Sequence, residues 1–270
     1  MITLGAVMAC GNPPQSALER IRQNGFIRAA YAHEPPYAFL SGAGDVMGES
    51  PLALHGALAA LPVDSVRWVR MDFDDLLPAL EEGRVDVVAS GLYPTERRAR
   101  QGTFTASTSC SRAALLVRRG GVAPDGLEAF LASGSGRLAV VRETVEHEAA
   151  RLLAVPEGRV LVVPDLPTGV VAVREGRADA LAMTEPTLIW SLGPDSDLRW
   201  LSYTPSAATA HLVEGCSALV VRRAEADLLA ALNRGIADFV GSPEHLAGLE
   251  PLGLMPPVQA GWHIGEGIAP

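Results

Sequence analysis

An internal repeat constrains the fold of this chain more than any other feature of its sequence. Residues 67–89 align without gaps on residues 160–182, at an offset of 93, so that Asp72 matches Asp165 and both copies carry Glu-Gly-Arg-x-Asp-x-x-Ala. Each copy indicates a strand, an acidic turn, a helix ended by glycine and a second strand. A unit of this length predicts a right-handed βαβ crossover in each half of the chain.

Apolar segments outside the repeat extend both units. Segments 27–31 and 138–141 predict a strand ahead of each copy, so each half should contain at least βαβαβ. Further on, a predicted strand over 217–221 and an amphipathic helix over 224–239 look like a return to the first half. Within the two copies, strands are predicted at 66–69, 85–89, 160–163 and 178–182, and helices at 73–82 and 168–175.

The chain length supports two such units, because single cores stop growing at about 250–300 residues and this chain has 270. We expect two open α/β lobes joined by a hinge, with lobe 1 formed by 25–110 and 215–256 and lobe 2 by 111–214. Residues 1–24 are expected to be a leader or linker, and 257–270 a loose tail. The carboxyl ends of the strands in two open sheets face a shared crevice, so a ligand site is expected there.

The net charge and the amino-acid composition exclude several functions. The formal net charge is −9 and the arginines are scattered, so nucleic acid is not an expected partner. The chain contains no lysine, which removes P-loop phosphoryl transfer and Schiff-base chemistry. The six histidines lack metal-ligand spacing, and His147, between Glu146 and Glu148, is expected with them on a solvated helix face. We therefore expect neither a metal nor a cofactor.

The three cysteines bear on location and covalent structure. Residues 1–10 are short, apolar and uncharged, and Val-Met-Ala-Cys-Gly at 7–11 resembles a bacterial lipobox. Cys10 is then the expected lipid anchor, and the alternative is an ordinary buried leader. Cys110 and Cys216 have no metal-ligand spacing. They form one disulfide or remain two free thiols, and the sequence leaves both alternatives open.

Several motifs in a common order resemble the family 3 extracellular solute-binding proteins, which have the type II periplasmic-binding fold. They are Gly-Phe-Ile-Arg at 25–28, Pro-Pro-Tyr-Ala-Phe at 35–39 and Gly-Leu-Tyr-Pro-Thr-Glu-Arg-Arg at 91–98. Glu-Ser-Pro at 49–51 and Val-Pro-Asp at 163–165 are similar to the branch that takes up ectoine and hydroxyectoine. The resemblance implies a monomeric binding protein in the periplasm or on the outer face of the cytoplasmic membrane. Its implied partners are a small zwitterionic solute and the membrane permease of an ATP-driven importer.

The resemblance assigns the ligand's carboxylate to an arginine. In the family an arginine closes a Thr-x-x-Arg motif, and Thr-Glu-Arg-Arg at 95–98 puts Arg98 at that position. A bidentate guanidinium suits a carboxylate. Arg97 is the alternative clamp, since the family usually has one arginine here. If Arg98 holds the ligand, Arg97 is expected to be a solvated helix charge.

The cationic part of the ligand is assigned to aromatic rings and an acid. Tyr37, Phe73 and Tyr93 match the positions that box the cation in the ectoine branch, and Glu34 matches the acid that faces the ring nitrogens. Aromatic faces attract substituted or delocalised cations. Phe73 has an alternative role as a core residue at the start of the following helix.

Lobe 2 matches the family less closely. Where the family often has Gly-Thr at a helix start, this chain has Glu143 and Thr144, and the acid would repel a carboxylate bound there. Thr144, Thr184 and Glu185 are the candidate ligand contacts from this lobe. Glu185 has an alternative role as an exposed acid favoured by the helix dipole.

Other functions stay open on sequence alone. The chain could be a polar amino-acid-binding protein, or an enzyme similar to cyclohexadienyl dehydratases with Glu185 or Glu143 as its general acid. A sensor that signals the presence of a ligand without transport would share the same features. Binding without catalysis is favoured, because no second polar group is visibly paired with either acid.

Overall fold

The computed structural model describes residues 15–59, 61–121, 126–193 and 196–257. In this part of the chain the strands form two five-stranded sheets and a two-stranded ribbon. The strands are β1 (Phe26–Tyr31), β2 (Phe39–Leu40), β3 (Val46–Met47), β4 (Ser65–Arg70), β5 (Val87–Leu92), β6 (Thr103–Ser111), β7 (Ala113–Arg118), β8 (Leu138–Val141), β9 (Val160–Val163), β10 (Ala180–Thr184), β11 (Leu198–Ser202) and β12 (Gly215–Val221). The α-helices are α1 (Ala17–Asn24), α2 (Glu49–Leu58), α3 (Leu76–Glu81), α4 (Glu96–Ala99), α5 (Leu127–Ala132), α6 (Val145–Leu152), α7 (Leu166–Arg174), α8 (Glu185–Ser191), α9 (Ala210–Val213), α10 (Ala226–Phe239) and α11 (Pro243–Leu249).

The two large sheets share one strand pattern. The lobe 1 sheet has the order β4-β1-β5-β12-β6, and the lobe 2 sheet has the order β9-β8-β10-β7-β11. In each sheet the first three strands are parallel and the fourth is antiparallel to the third. The three parallel strands are those of the predicted βαβαβ unit. The predicted α/β fold with two open sheets is therefore confirmed.

Matching hydrogen bonds explain what the repeated Glu-Gly-Arg-x-Asp motif does. In lobe 1 the Arg28 N–H donates to the Asp86 carboxylate at 3.0 Å, and the Asp86 N–H donates to the Arg28 carbonyl at 2.9 Å. In lobe 2 the Arg137 N–H donates to the Asp179 carboxylate at 2.8 Å, and the Asp179 N–H donates to the Arg137 carbonyl at 2.8 Å. Asp86 thus ties the start of β5 to β1, and Asp179 ties the start of β10 to that of β8.

The helices of the two copies begin differently and end alike. Asp165 caps α7 with its side chain, whereas Asp72 makes no side-chain cap and the chain first forms a 3-10 turn at Phe73–Asp75. At the other end, Gly83 and Gly176 adopt φ values of 72° and 75°. This left-handed conformation after a helix favours glycine, as the sequence predicted.

Helices cover both faces of each sheet. In lobe 1, α1, α2 and α10 bury apolar residues on one face and α3 on the other. In lobe 2, α5, α6 and α9 cover one face, and α7 and α8 the other. Helices therefore cover both faces of each sheet with apolar contacts. The loops after the parallel strands lie at the sheet edge and face the opposite lobe.

The predicted leader or linker over 1–24 is wrong for its last part. Ser16 caps α1 through a capping box, and Ala17 and Ile21 are buried in the lobe 1 core. Residues 17–24 are therefore part of the folded lobe. The predicted lipid anchor Cys10 and the predicted tail from residue 258 onward lie outside the described residues. Among the described helices, none is long and apolar enough to cross a membrane.

The chain passes between the two sheets twice. Strand β6 ends at Ser111 in the lobe 1 sheet, and β7 begins at Ala113 in the lobe 2 sheet; later, α9 of lobe 2 leads to β12 of lobe 1 at Gly215. Cys110 on β6 lies opposite Cys216 on β12, and the two form a disulfide. The structure thus selects the disulfide over two free thiols, and this bond lies beside both passages.

Candidate functional site

A cavity lies between the lobes, where the carboxyl ends of both sheets meet. The empty space between its walls is about 300 Å³, a figure that includes space open to solvent. The cavity includes seven of the eight residues predicted to contact a ligand, and Glu185 is the exception. The lining residues are Glu34, Tyr37, Phe73, Gly91, Tyr93 and Arg98 from lobe 1, and Thr144, Val145, Glu146, Met183 and Thr184 from lobe 2.

Arg98 brings a buried cation to this cavity. The residue is only 2% exposed, and its guanidinium donates to the carbonyls of Tyr93 and Glu143, both at 2.9 Å. The guanidinium carbon lies 5.5 Å from the centre of the Phe73 ring. Burial, and then the charge of Arg97, lower the pKa of Arg98 to about 10. The group therefore remains charged at neutral pH.

Arg97 lies at the rim of the cleft, where it bridges the two lobes. Its guanidinium forms ion pairs with Glu143 and with Glu148, the latter at 3.3 Å. The Arg97 side chain is 35% exposed, so it is a partly solvated helix charge that also pairs with lobe 2, whereas Arg98 lines the cavity. The Glu143 carboxylate pairs with Arg97 and with Arg151 at 3.5 Å. It does not line the cavity, so the repulsion expected at the helix start is largely removed.

The two cavity tyrosines share a buried hydrogen-bond network. The Tyr37 hydroxyl lies 2.9 Å from the Ser111 hydroxyl, 3.3 Å from the Tyr93 hydroxyl and 3.3 Å from the Thr184 hydroxyl. Tyr93 also bonds to Ser111. Burial raises the pKa of both phenols well above the ordinary value. Gly91, at φ 65°, permits the packing, because a Cβ there would lie 2.5 Å from the Tyr37 ring.

Glu34 brings a carboxyl group to the cavity from the turn after β1. Its N–H donates to the Ala38 carbonyl at 2.8 Å, and its carbonyl accepts from the Tyr37 N–H at 2.9 Å, so a tight turn fixes its position. Burial of the carboxyl, and then the charge of Glu146, raise its pKa to about 8, although Arg98 opposes the shift. Glu34 is therefore mostly protonated at pH 7 when the cavity is free.

Phe73 lies both at the cavity and against the lobe 1 core, the two positions that its alternative roles require. It follows β4 as the first residue of the 3-10 turn, where it lines the cavity. It also packs, partly buried, against the apolar cluster that contains Leu76 and Leu80. Its ring is thus held by the lobe 1 core while one part of it stays available to a ligand.

Two threonines of lobe 2 line the cavity at helix starts. Thr144 is the N-cap of α6: its hydroxyl accepts from the His147 N–H at 3.4 Å and donates to the Val141 carbonyl at 2.9 Å. Thr184 ends β10, and its hydroxyl lies 2.9 Å from that of Thr187. Both hydroxyls already have partners, so these threonines shape the wall more than they offer free donors.

Comparison with known proteins identifies the family. Residues 26–246 match the bacterial extracellular solute-binding proteins, family 3. The chain belongs to this family. A probable amino-acid ABC transporter periplasmic-binding protein of Sinorhizobium fredii is 23% identical over 227 residues, which cover 82% of this chain and 75% of that protein.

Two solved structures share the fold of this family 3 protein. EhuB in complex with hydroxyectoine superposes with a TM-score of 0.79 at 23% identity, over 91% of this chain and 95% of that chain. An ancestral arginine-binding protein bound to arginine gives 0.74 at 21% identity, over 84% and 98%. At these identities the similarity shows the fold alone. The predicted family and the type II periplasmic-binding fold are confirmed.

Glu185 of this family 3 protein lies outside the cavity, which corrects its predicted role as a ligand contact. It is the first residue of α8, and its carboxylate accepts from the Ser202 hydroxyl at 2.6 Å. Its N–H donates to the Arg112 carbonyl at 2.8 Å. The residue before it, Thr184, ends the strand and faces inward. Turning the chain from strand to helix between these two residues separates their side chains.

Glu146 is the cavity residue that the sequence analysis missed. Expected on a solvated helix face, it is only 2% exposed, and its neighbour His147 is 7% exposed. Burial raises the pKa of the Glu146 carboxyl, while hydrogen bonds and Arg98 oppose the shift. A signal was present: Thr144 caps a helix directly after β8, so the next residues belong to a helix start that faces the crevice.

These groups are suited to holding a ligand with charges of both signs. The cavity combines one guanidinium, two carboxyl groups and three aromatic rings. Within the described ranges, no cluster of three His, Cys, Asp or Glu residues could hold a metal ion. The arrangement therefore matches recognition of an organic solute by hydrogen bonds and ring faces.

Proposed function

We propose that this protein binds a small zwitterionic solute between its lobes and delivers it to the membrane permease of an ATP-driven importer. The observation that carries the proposal is the buried guanidinium of Arg98 in the same cavity as aromatic rings and the Glu34 carboxyl. Closure of two lobes over a solute gives a permease a shape that signals the loaded state.

The carboxylate of the solute binds to Arg98. Two of the five guanidinium N–H groups donate to the Tyr93 and Glu143 carbonyls. These bonds hold the guanidinium in place and leave its other N–H groups for a ligand. A charge-assisted pair in a water-poor cavity is stronger than the same pair in water. Because Arg98 reaches a carbonyl of lobe 2, it also links ligand binding to closure.

The cation of the solute binds among the rings of Tyr37, Phe73 and Tyr93, with Glu34 as its counter-charge. Each cation–π contact contributes about 0.5–2 kcal/mol. Several such contacts together with the arginine clamp can reach the ~8 kcal/mol of micromolar binding. Ectoine and hydroxyectoine join a delocalised cation to a carboxylate, and the similar fold of the hydroxyectoine complex supports this choice.

A polar amino acid is the second candidate. Glu146 favours it, because a second buried carboxyl group suits a ligand with more cationic N–H groups, such as arginine. The names of the Sinorhizobium relative and of the arginine-bound structure point the same way. The dehydratase alternative loses support, because neither Glu143 nor Glu185 lines the cavity.

The proposal is tested on protein that has been unfolded and refolded to remove any bound solute. Thermal-shift assays and calorimetry are run with ectoine, hydroxyectoine, glycine betaine, proline, arginine and arogenate. We expect micromolar binding and a higher Tm with at least one zwitterion, without turnover. Stabilisation by none of them, or consumption of arogenate, contradicts the proposal.

A further inference from the structure

Glu146 occupies an unusual position in the cavity. It lies in the first turn of α6, on the lobe 2 side, and 98% of the residue is withdrawn from solvent. Its Oε1 atom is buried without a hydrogen-bond partner among the described residues. A buried carboxylate oxygen left unpaired is costly, because the group loses its hydration without compensation. Such an oxygen at a cavity wall is a site for a donor from a ligand.

The charged neighbours of Glu146 narrow the chemistry of that donor. The charge of Arg98 favours the ionised form of Glu146 across the cavity, and the charge of Glu146 in turn raises the pKa of Glu34. The Tyr203 hydroxyl is also buried without a partner in the described chain, and burial, followed by the charge of Glu146, raises the pKa of that phenol. Since Glu34 stands on lobe 1 and Glu146 on lobe 2, a cation in the closed cleft meets a carboxyl group from each lobe.

We propose that Glu146 is a ligand-binding residue that accepts a hydrogen bond from an N–H of the bound cation, so that the site selects cations bearing N–H groups over quaternary ones. This inference rests on the proposed function. An amidinium, guanidinium or ammonium group offers donors to both Glu34 and Glu146, as charge-assisted bonds. A quaternary ammonium can make cation–π contacts with the rings, but it leaves the buried Oε1 atom of Glu146 without a hydrogen bond.

The expected selectivity is large, because sites built to bond an N–H reject analogues that lack it. Such discrimination reaches about 10⁴-fold in favourable cases. For one hydrogen bond to a single buried carboxylate oxygen we expect about a hundredfold. Ring faces alone would give the opposite order, since they bind quaternary ammonium well.

The test uses proline and proline betaine, which share the ring and the carboxylate and differ only in methylation of nitrogen. Calorimetry compares their Kd values, with ectoine, arginine and glycine betaine as further probes, on wild type, Glu146→Gln and the control Glu157→Gln. Glu157 is exposed on the same lobe. We expect wild type and the control to prefer N–H ligands about a hundredfold, and Glu146→Gln to reduce that preference to less than about tenfold.

The outcomes separate the two proposals. If wild type binds none of these solutes, the proposed function fails and the inference fails with it. If wild type binds proline betaine as tightly as proline, the selectivity alone is wrong. If Glu146→Gln keeps the full preference, the role of Glu146 is wrong. If Glu146 and Tyr203 have only structural roles, Glu146→Gln and Tyr203→Phe should lower Tm equally without a change in ligand preference, and that result also overturns the inference.

Discussion

The two faces of the cleft are built from the same strand-end positions but carry different chemistry. Lobe 1 presents aromatic rings, Arg98 and Glu34, whereas lobe 2 presents two threonines at helix starts and Glu146. In both lobes the positions follow parallel strands, because loops at those ends face the crevice. The difference teaches that the repeat fixes where a ligand is met, while individual side chains decide what is recognised.

The repeated aspartates show the same contrast away from the cleft. Asp86 and Asp179 make matching backbone bonds, but Asp86 is 2% exposed and pairs with Arg20 and Arg28, while the Asp179 side chain is 47% exposed and pairs with Arg118. Burial alone would raise the pKa of Asp86; bonds from the two arginines outweigh it and lower that pKa. The lobe 1 copy is thus the more strongly held of the two.

The largest expected effect comes from removing the Arg98 guanidinium from the cavity wall. Arg98→Ala should weaken binding of the preferred zwitterion by about a hundredfold or more, since it removes a buried partner of the ligand carboxylate. Calorimetry measures the loss, and Arg97→Ala is the matched control on the same helix. Binding that survives in Arg98→Ala and disappears in Arg97→Ala would assign the clamp to the rim arginine.

A pH dependence should follow from Glu34. Its pKa is about 8 in the free cavity, and a bound cation favours the ionised carboxylate, so binding releases a proton below that pH. Affinity should therefore rise with pH, by about tenfold from pH 6 to pH 7, and level off above about pH 8. Calorimetry in buffers of different ionisation enthalpy counts the released protons.

Glu34→Gln provides the control for that pH dependence. The variant should lose most of the rise of affinity with pH, because the amide does not titrate in this range. An affinity that falls with rising pH in the wild-type protein would contradict the assignment of Glu34 as the counter-charge of the cation.

The smallest expected effect concerns Arg97, whose ion pairs join lobe 1 to lobe 2 at the rim of the cleft. Arg97→Gln should weaken binding about threefold, because its ion pairs with Glu143 and Glu148 favour the closed cleft but are partly exposed and screened by solvent. High salt should reduce the difference between variant and wild type. Arg100→Gln, exposed at the end of the same helix, should bind like wild type. An unchanged Kd in Arg97→Gln would show that these pairs do not contribute to closure.

Much of the lobe 1 face could be predicted from the sequence. Glu34, Tyr37, Phe73, Tyr93 and Arg98 came from the family resemblance, and all line the cavity. Lobe 2 was harder, because its helix start departs from the family pattern. Glu146 was missed and Glu185 misplaced, since one residue at a helix start turns a side chain by about 100°.

The sequence by itself determined the fold. A gap-free repeat, a glycine after each helix and apolar strands of matched length permit little besides two βαβ sheets, because these are local requirements of backbone and burial. Only the tertiary structure decided which arginine lines the cavity, that Cys110 meets Cys216, and that Glu146 is buried at the cavity wall. These outcomes depend on how two separate lobes close on each other, and contacts between distant segments leave no periodic trace in the sequence.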